Sequence, residues 1–136
     1  MTATLSKPAP IRLSTLRFGE LEIPASDIFT FPRGLPGFDG LDRFALLPIR
    51  DGLGWLQSAE VGSLAFLVAE PHRIVAAAWE GTPGAWAIIT LGDTPEHCTA
   101  NLRAPLILNP DNRLGVQWIA SDSRLSTVEP VNLLNL

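Results

Sequence analysis

Cysteine, lysine and tyrosine are almost missing from this chain, and each scarcity excludes something. Cys98 is the only cysteine, so no disulfide forms within the chain, as suits a reducing compartment. Lys7 is the only lysine, beside nine arginines, and no basic run exists. Direct nucleic-acid binding therefore has little electrostatic support. There is no tyrosine at all. No stretch approaches the ~18 uninterrupted apolar residues of a membrane span. Met1 to Pro10 carries one charge and two prolines and lacks the apolar core of a signal peptide. The cytoplasm is the expected location.

Catalytic equipment is equally thin. His97 and Cys98 are neighbours, and on an extended chain neighbours point to opposite faces, so they make a poor dyad. A pairing of His72 with Cys98 across space stays open, as a small hydrolase; surface histidines and a buried thiol are the plainer reading. Two histidines and one cysteine, without metal-ligand spacing, fall short of a metal site. Glu20, Glu22, Asp39, Asp42, Glu60 and Glu70 are spread over turns, where solvation explains them. Gly34-Leu35-Pro36-Gly37 has neither the lysine nor the following helix of a phosphate loop. No catalytic residue, cofactor or metal is expected. An apolar cavity for a sugar or lipid is a further alternative.

What the chain does have is punctuation. Its 136 residues suit one domain, able to bury roughly two thirds of its unfolded surface. Apolar residues make up 46% and charged residues 18%, a globular balance. The net charge of −4 leans toward a basic partner. Twelve prolines and eleven glycines cut the sequence into apolar runs of about five to eight residues, the length of strands. Residues 1–10 read as a flexible tail and 11–136 as one β domain.

The runs predict a sequence of strands. Gly19-Glu20 is placed as a two-residue type II′ turn, pairing Phe18 with Leu21, Leu16 with Ile23 and Arg17 with Glu22. Ile28 to Phe31 is a short strand, stopped by Pro32-Arg33-Gly34-Leu35-Pro36-Gly37. Arg43 to Ile49 follows, with Pro48 confined to an edge or end. Asp51-Gly52 turns into Trp55–Ser58, paired with Leu64–Ala69 around Gly62. Ile74 to Trp79 is ambiguous between strand and helix. Trp86 to Leu91, Leu106 to Leu108 and Leu114 to Ala120 complete the set. Thr94-Pro95 is fit to open one helical turn. Eight to ten short strands without crossover helices predict a mainly β fold, a compact antiparallel β-barrel-like or sandwich domain with at most one or two short helical turns.

Four tryptophans sit in or beside apolar runs. Core packing accounts for all of them; Trp55, beside Gly52 and Gly54, is the one most suited to anchor a partner. Phe38, beyond the Pro-Gly turn, is held either in the core or at a partner surface.

In order, several blocks resemble the flagellar assembly factor FliW family. They are Phe18-Gly19-Glu20-Leu21-Glu22-Ile23, then Ile28 through Phe38 with its Gly34-Leu35-Pro36-Gly37-Phe38 turn, then Arg43 to Pro48. Trp55-Leu56-Gln57-Ser58 and Leu64 to Val68 come next. Asn101-Leu102-Arg103-Ala104-Pro105-Leu106-Ile107-Leu108-Asn109 and Arg113 to Gln117 close the match, which covers about residues 15 to 120. The resemblance implies a β-barrel-like protein that binds flagellin and, alternatively, the translational repressor CsrA. Release from exported flagellin would free it to antagonise CsrA allosterically. By the same resemblance, partner binding is expected at Phe38, Trp55, Gln57, Asn101 and Arg103. The chain departs from the family in a short connection from Glu70-Pro71 to Trp86 and in a tail without tyrosine. A divergent member binding flagellin only is the nearest alternative.

Overall fold

The computed structural model describes residues 9–122 and 124–136. The expected tail at 1–10 therefore lies, up to residue 8, outside the described residues. Ten strands follow in order: β1 Ile11–Thr15, β2 Gly19–Ile23, β3 Ile28–Thr30, β4 Arg43–Arg50, β5 Leu53–Ser58, β6 Ala65–Ala69, β7 Ala85–Thr90, β8 Cys98–Asn109, β9 Leu114–Gln117 and β10 Glu129–Val131. The described helical content is three single 3-10 turns, Ala25–Asp27, Pro71–Arg73 and Leu133–Asn135. That is one more than the upper expectation.

Seven strands close a ring. β3, β4, β5, β6, β7 and β8 are antiparallel neighbours, β9 pairs antiparallel with β8, and β9 meets β3 through one parallel pair, Thr30 with Leu114. Closure removes most free edges, which an open sheet of this size would leave exposed. Phe29, Phe31, Phe44, Leu56, Val68, Leu106 and Leu108 form one buried cluster. They come from strands all round the ring, so this cluster is the barrel interior. Phe31 meets Phe44 edge to face at 5.5 Å. Aromatic and branched side chains fill the interior, unlike a barrel that holds a sugar or lipid.

The outer face is covered in two sectors. The β1–β2 hairpin packs Ile11, Leu13, Leu21 and Ile23 over Ile28 and Ala45. Val131 of β10, Leu133 and the segment around Ile74 to Trp79 pack over Leu67, Ala87, Ile89 and Ala100.

The hairpin exists, but in another register. Leu13 faces Leu21, Ile11 faces Ile23, and Arg12 rather than Arg17 faces Glu22. The loop has three residues, Leu16 to Phe18. Thr15 closes it, accepting the Phe18 N–H at 2.9 Å and donating to the Gly19 carbonyl at 2.7 Å. Two registers satisfied the alternation, one using Leu16 and Phe18, the other Ile11 and Leu13. Burial chose the second, and Leu16 is left 79% exposed. Gly19 has φ +65°, and an added Cβ would meet nothing within 4 Å. Gly19→Val is therefore expected to cost backbone strain alone, about 1–3 kcal/mol. An unshifted denaturation midpoint would contradict that.

Other expectations resolve simply. Pro48 sits beyond the stretch of β4 paired with β3, where β4 has only β5 beside it and a register shift follows. Ile74 to Trp79 is neither strand nor helix but consecutive turns, with Trp79 at φ +57°. Thr94 to His97 is one hydrogen-bonded turn of 3.0 Å and no helix. β8 is much longer than Leu106–Leu108: Cys98 to Ala104 already alternates buried with half-buried residues, and the pattern breaks only at Ala104 to Leu106, where the bulge lies.

Candidate functional site

Local bonding explains the Asn101 to Pro105 block. Against β7, Ile88 faces Asn101 and Trp86 faces Leu106, so Leu102 to Pro105 lie opposite Ala87 alone. Asn101 closes this bulge: its Oδ1 accepts from the Arg103 and Ala104 N–H groups, both at 3.1 Å. Every backbone group of the bulge then finds a partner. The Leu102 N–H donates to Ser126, and its carbonyl accepts from Trp79 Nε1 at 2.6 Å. The Arg103, Ala104 and Pro105 carbonyls accept from the Ala120 N–H, Gln117 Nε2 and the Trp118 N–H. Pro105 fits because a bulge needs no ladder N–H there. The bulge also marks a change of neighbour. Before it β8 pairs with β10, and after it with β9.

The Pro-Gly block is a chain of tight turns. The Gly34 N–H donates to Phe31, Phe38 to Leu35 and Leu41 to Phe38, at 2.8, 2.9 and 3.1 Å. The Phe31 N–H donates to Asp42 at 2.7 Å and ties the loop shut. Leu35 is buried. Phe38 is half-buried, edge-on to Phe66 at 5.2 Å. Its ring is thus turned to the barrel interior with one side still accessible. Phe38→Ala is expected to lose about 2–3 kcal/mol, less than a fully buried ring, from partial burial and one aromatic pair. Chemical denaturation measures this, and a loss below about 0.5 kcal/mol would show the ring to be a surface group.

The remaining expected residues divide. Trp55 is half-buried under the hairpin loop, edge-on to Phe18 at 6.3 Å, with the Arg17 guanidinium 4.3 Å from its ring. Gln57 is fully buried. Its Nε2 donates to the Ser58 and Leu64 carbonyls at 3.0 Å and lies 3.3 and 3.4 Å from those of Val61 and Gly62. Gln57 therefore holds the loop that β1–β2 docks on, where the Leu16 N–H donates to the Gly62 carbonyl. Asn101 and Arg103 lie together at the bulge, with Arg103 Nε donating to the Leu125 carbonyl at 3.0 Å.

The hydrolase alternative has no geometry. Cys98 is buried, its thiol donating toward the Thr94 and Pro95 carbonyls and not toward either histidine. His97 bonds Thr94, and His72 lies 3.3 Å from Glu70. Among the described residues, no three His, Cys, Asp or Glu side chains gather as for a metal. Asp122 has a lowered pKa, first from its hydrogen bond with the Arg124 side chain, and the pair lies on the surface. No helix is long and apolar enough to cross a membrane.

One surface was not foreseen. Trp118, expected in the core, is 58% exposed. Leu114 and Ile119 are also exposed, and with Val116 they line a groove of about 700 Å³ that Pro32 and Arg33 border on the other side. Two of the sequence blocks, separate in the chain, meet along this seam. Gly115 makes the fit close: a Cβ there would come within 2.5 Å of the Phe31 ring. The alternation of Leu114, Val116 and Trp118 was a readable signal, but it does not say that nothing covers that face.

A family model described as "FliW protein" matches residues 12–77 and 80–131. The "Flagellar assembly factor FliW" of Bdellovibrio bacteriovorus is 35% identical, the alignment covering 88% of this chain and 78% of that protein. The protein of the same description from Moorella thermoacetica is 33% identical, over 86% of this chain and 85% of its own. A solved structure, "Crystal structure of the flagellar assembly factor FliW", superimposes with a TM-score of 0.78 at 28% identity. It covers 88% of this chain and 95% of that one. The family match is interrupted at residues 78 and 79, the second of which is the left-handed Trp79.

Proposed function

The chain belongs to the FliW family of flagellar assembly factors, a family of non-enzymatic regulators, and from that premise we propose that it binds flagellin and CsrA in turn. Held by flagellin, it leaves CsrA free to repress; released by flagellin export, it binds CsrA and lifts repression of flagellin translation. It acts in the cytoplasm as one domain over residues 11–136. The observation that carries this reading is the ordered set of family blocks, which spans the match at residues 12–77 and 80–131. The net charge of −4 adds an attraction to a basic partner.

Calorimetry with the flagellin and the CsrA of the same organism tests it. Both are expected to bind at micromolar concentrations and to exclude each other, directly or through coupled sites. CsrA binding should weaken with salt, since screening shortens charge attraction to about 8 Å at physiological ionic strength. Flagellin, offering apolar side chains of unfolded segments, should be less salt-sensitive. RNA should not bind. Failure of both proteins to bind at tens of micromolar would end the proposal. Binding of flagellin without CsrA would support the narrower function.

A further inference from the structure

We propose that the outer edge of β9 takes up an extended segment of another protein as an added β-strand, apolar at alternate positions and carrying a carboxylate near one end. The β9 geometry carries this, whichever protein supplies the strand.

The edge is defined by hydrogen bonds. The Trp118 N–H donates to Pro105 at 2.9 Å and the Ala120 N–H to Arg103 at 2.8 Å, both toward β8. Intervening residues of an extended chain point their N–H and C=O groups the other way. Gln117 and Ile119 therefore direct their backbone away from β8. On that side the pairing with β3 is a single step, Thr30 with Leu114. β3 then leaves: the Thr30 N–H is its last donor toward β9, and the next in that direction would come from residue 32, a proline without an N–H. On the side away from β8, no strand among the described residues pairs with β9 beyond Leu114. A row of donors and acceptors at strand spacing selects a strand, not a helix.

The side chains specify the occupant further. Leu114 and Val116 on β9 and Trp118 just past its end alternate, and Ile107, opposite Val116 on β8, shares the face of Val116. The β1–β2 hairpin and the C-terminal segment cover other sectors of the barrel. Arg33 is the one charged side chain lining the groove; it is exposed and stands on a protein of net charge −4. It complements a carboxylate. A second copy of the same edge would bring another arginine instead, which disfavours self-pairing.

The probe is an acetylated synthetic peptide of about eight residues, the length of a strand, alternating valine and threonine and ending in glutamates. Its partner probe ends in arginines. Amide shifts of the isotope-labelled full chain are followed. The glutamate peptide should shift Gly115 to Ile119 and Arg33 and leave β1 and β2 unmoved. The arginine peptide should bind at least several-fold more weakly, and Arg33→Glu should reverse that order. Ile119→Pro removes an edge donor that the fold does not use, and should abolish binding. If that variant unfolds, N-methylating alternate amides of the peptide tests the same bonds on the unaltered protein and should also abolish binding. No shifts at millimolar peptide, shifts centred elsewhere, or equal binding of the N-methylated peptide would overturn the proposal.

Discussion

Gln57→Glu is expected to destabilise the protein by about 3–4 kcal/mol at neutral pH, rising to about 4–7 kcal/mol once the pH exceeds the folded pKa of a buried carboxyl raised three to five units. The side chain is fully buried, and its amide nitrogen faces four carbonyl oxygens of residues 58 to 64. A carboxylate there would set negative oxygen against negative oxygen with no donor in reach. The folded state must keep the acid protonated, so its folded pKa lies above the unfolded value. Below the unfolded pKa, about 4.3, both states are protonated and this penalty is absent. It grows as pH rises through that value and is complete above the folded pKa. Denaturant unfolding at several pH values, against wild type at each, reads the difference directly. A penalty that does not depend on pH would show that the side chain reaches water. Because Gly62 on this loop receives the hairpin through the Leu16 N–H, partial detachment of β1–β2 should accompany the loss, visible as faster amide exchange from Ile11 to Ile23.

The second large effect is expected at Asn101. Asn101→Ala strips the acceptor from two backbone donors, those of Arg103 and Ala104. An unsatisfied buried donor costs about 1–3 kcal/mol, so the pair costs about 2–6 kcal/mol. Asn101→Asp keeps an acceptor at the same distance and should retain most of the stability. The bulge supports its neighbour as well, since Gln117, Trp118 and Ala120 all bond its carbonyls. Asn101→Ala should therefore disturb amide shifts along β9 more than those along β4, which does not pair with β8. A wild-type denaturation midpoint in Asn101→Ala would refute this role.

These two residues also show where reading the chain reaches its end. Gln57 and Asn101 stand among the residues expected at a partner surface, but nothing in the sequence hinted at their internal bonds. In the fold Gln57 ties the loop of residues 58 to 64 and Asn101 caps the bulge. Both uses need a loop or strand irregularity that appears only when distant backbone groups are in place. Phe38 fared better: the Pro36-Gly37 turn before it was readable, and the half-buried ring lies between the two alternatives allowed for it. Trp118 illustrates the opposite failure. Apolar character predicts burial, but a face is buried only if another element arrives to cover it.

The sequence by itself determined the strand-length runs, the turns at Pro and Gly, the mainly β class, and the lack of a reactive set around Cys98. These are local or compositional properties, fixed by φ preferences, missing N–H groups and the count of reactive side chains. The tertiary structure alone decided the hairpin register, the bulge within β8, the closing pair of Thr30 with Leu114, and the bare outer edge of β9. Each depends on which residues far apart in the chain bury one another, and local alternation is satisfied equally by more than one such arrangement.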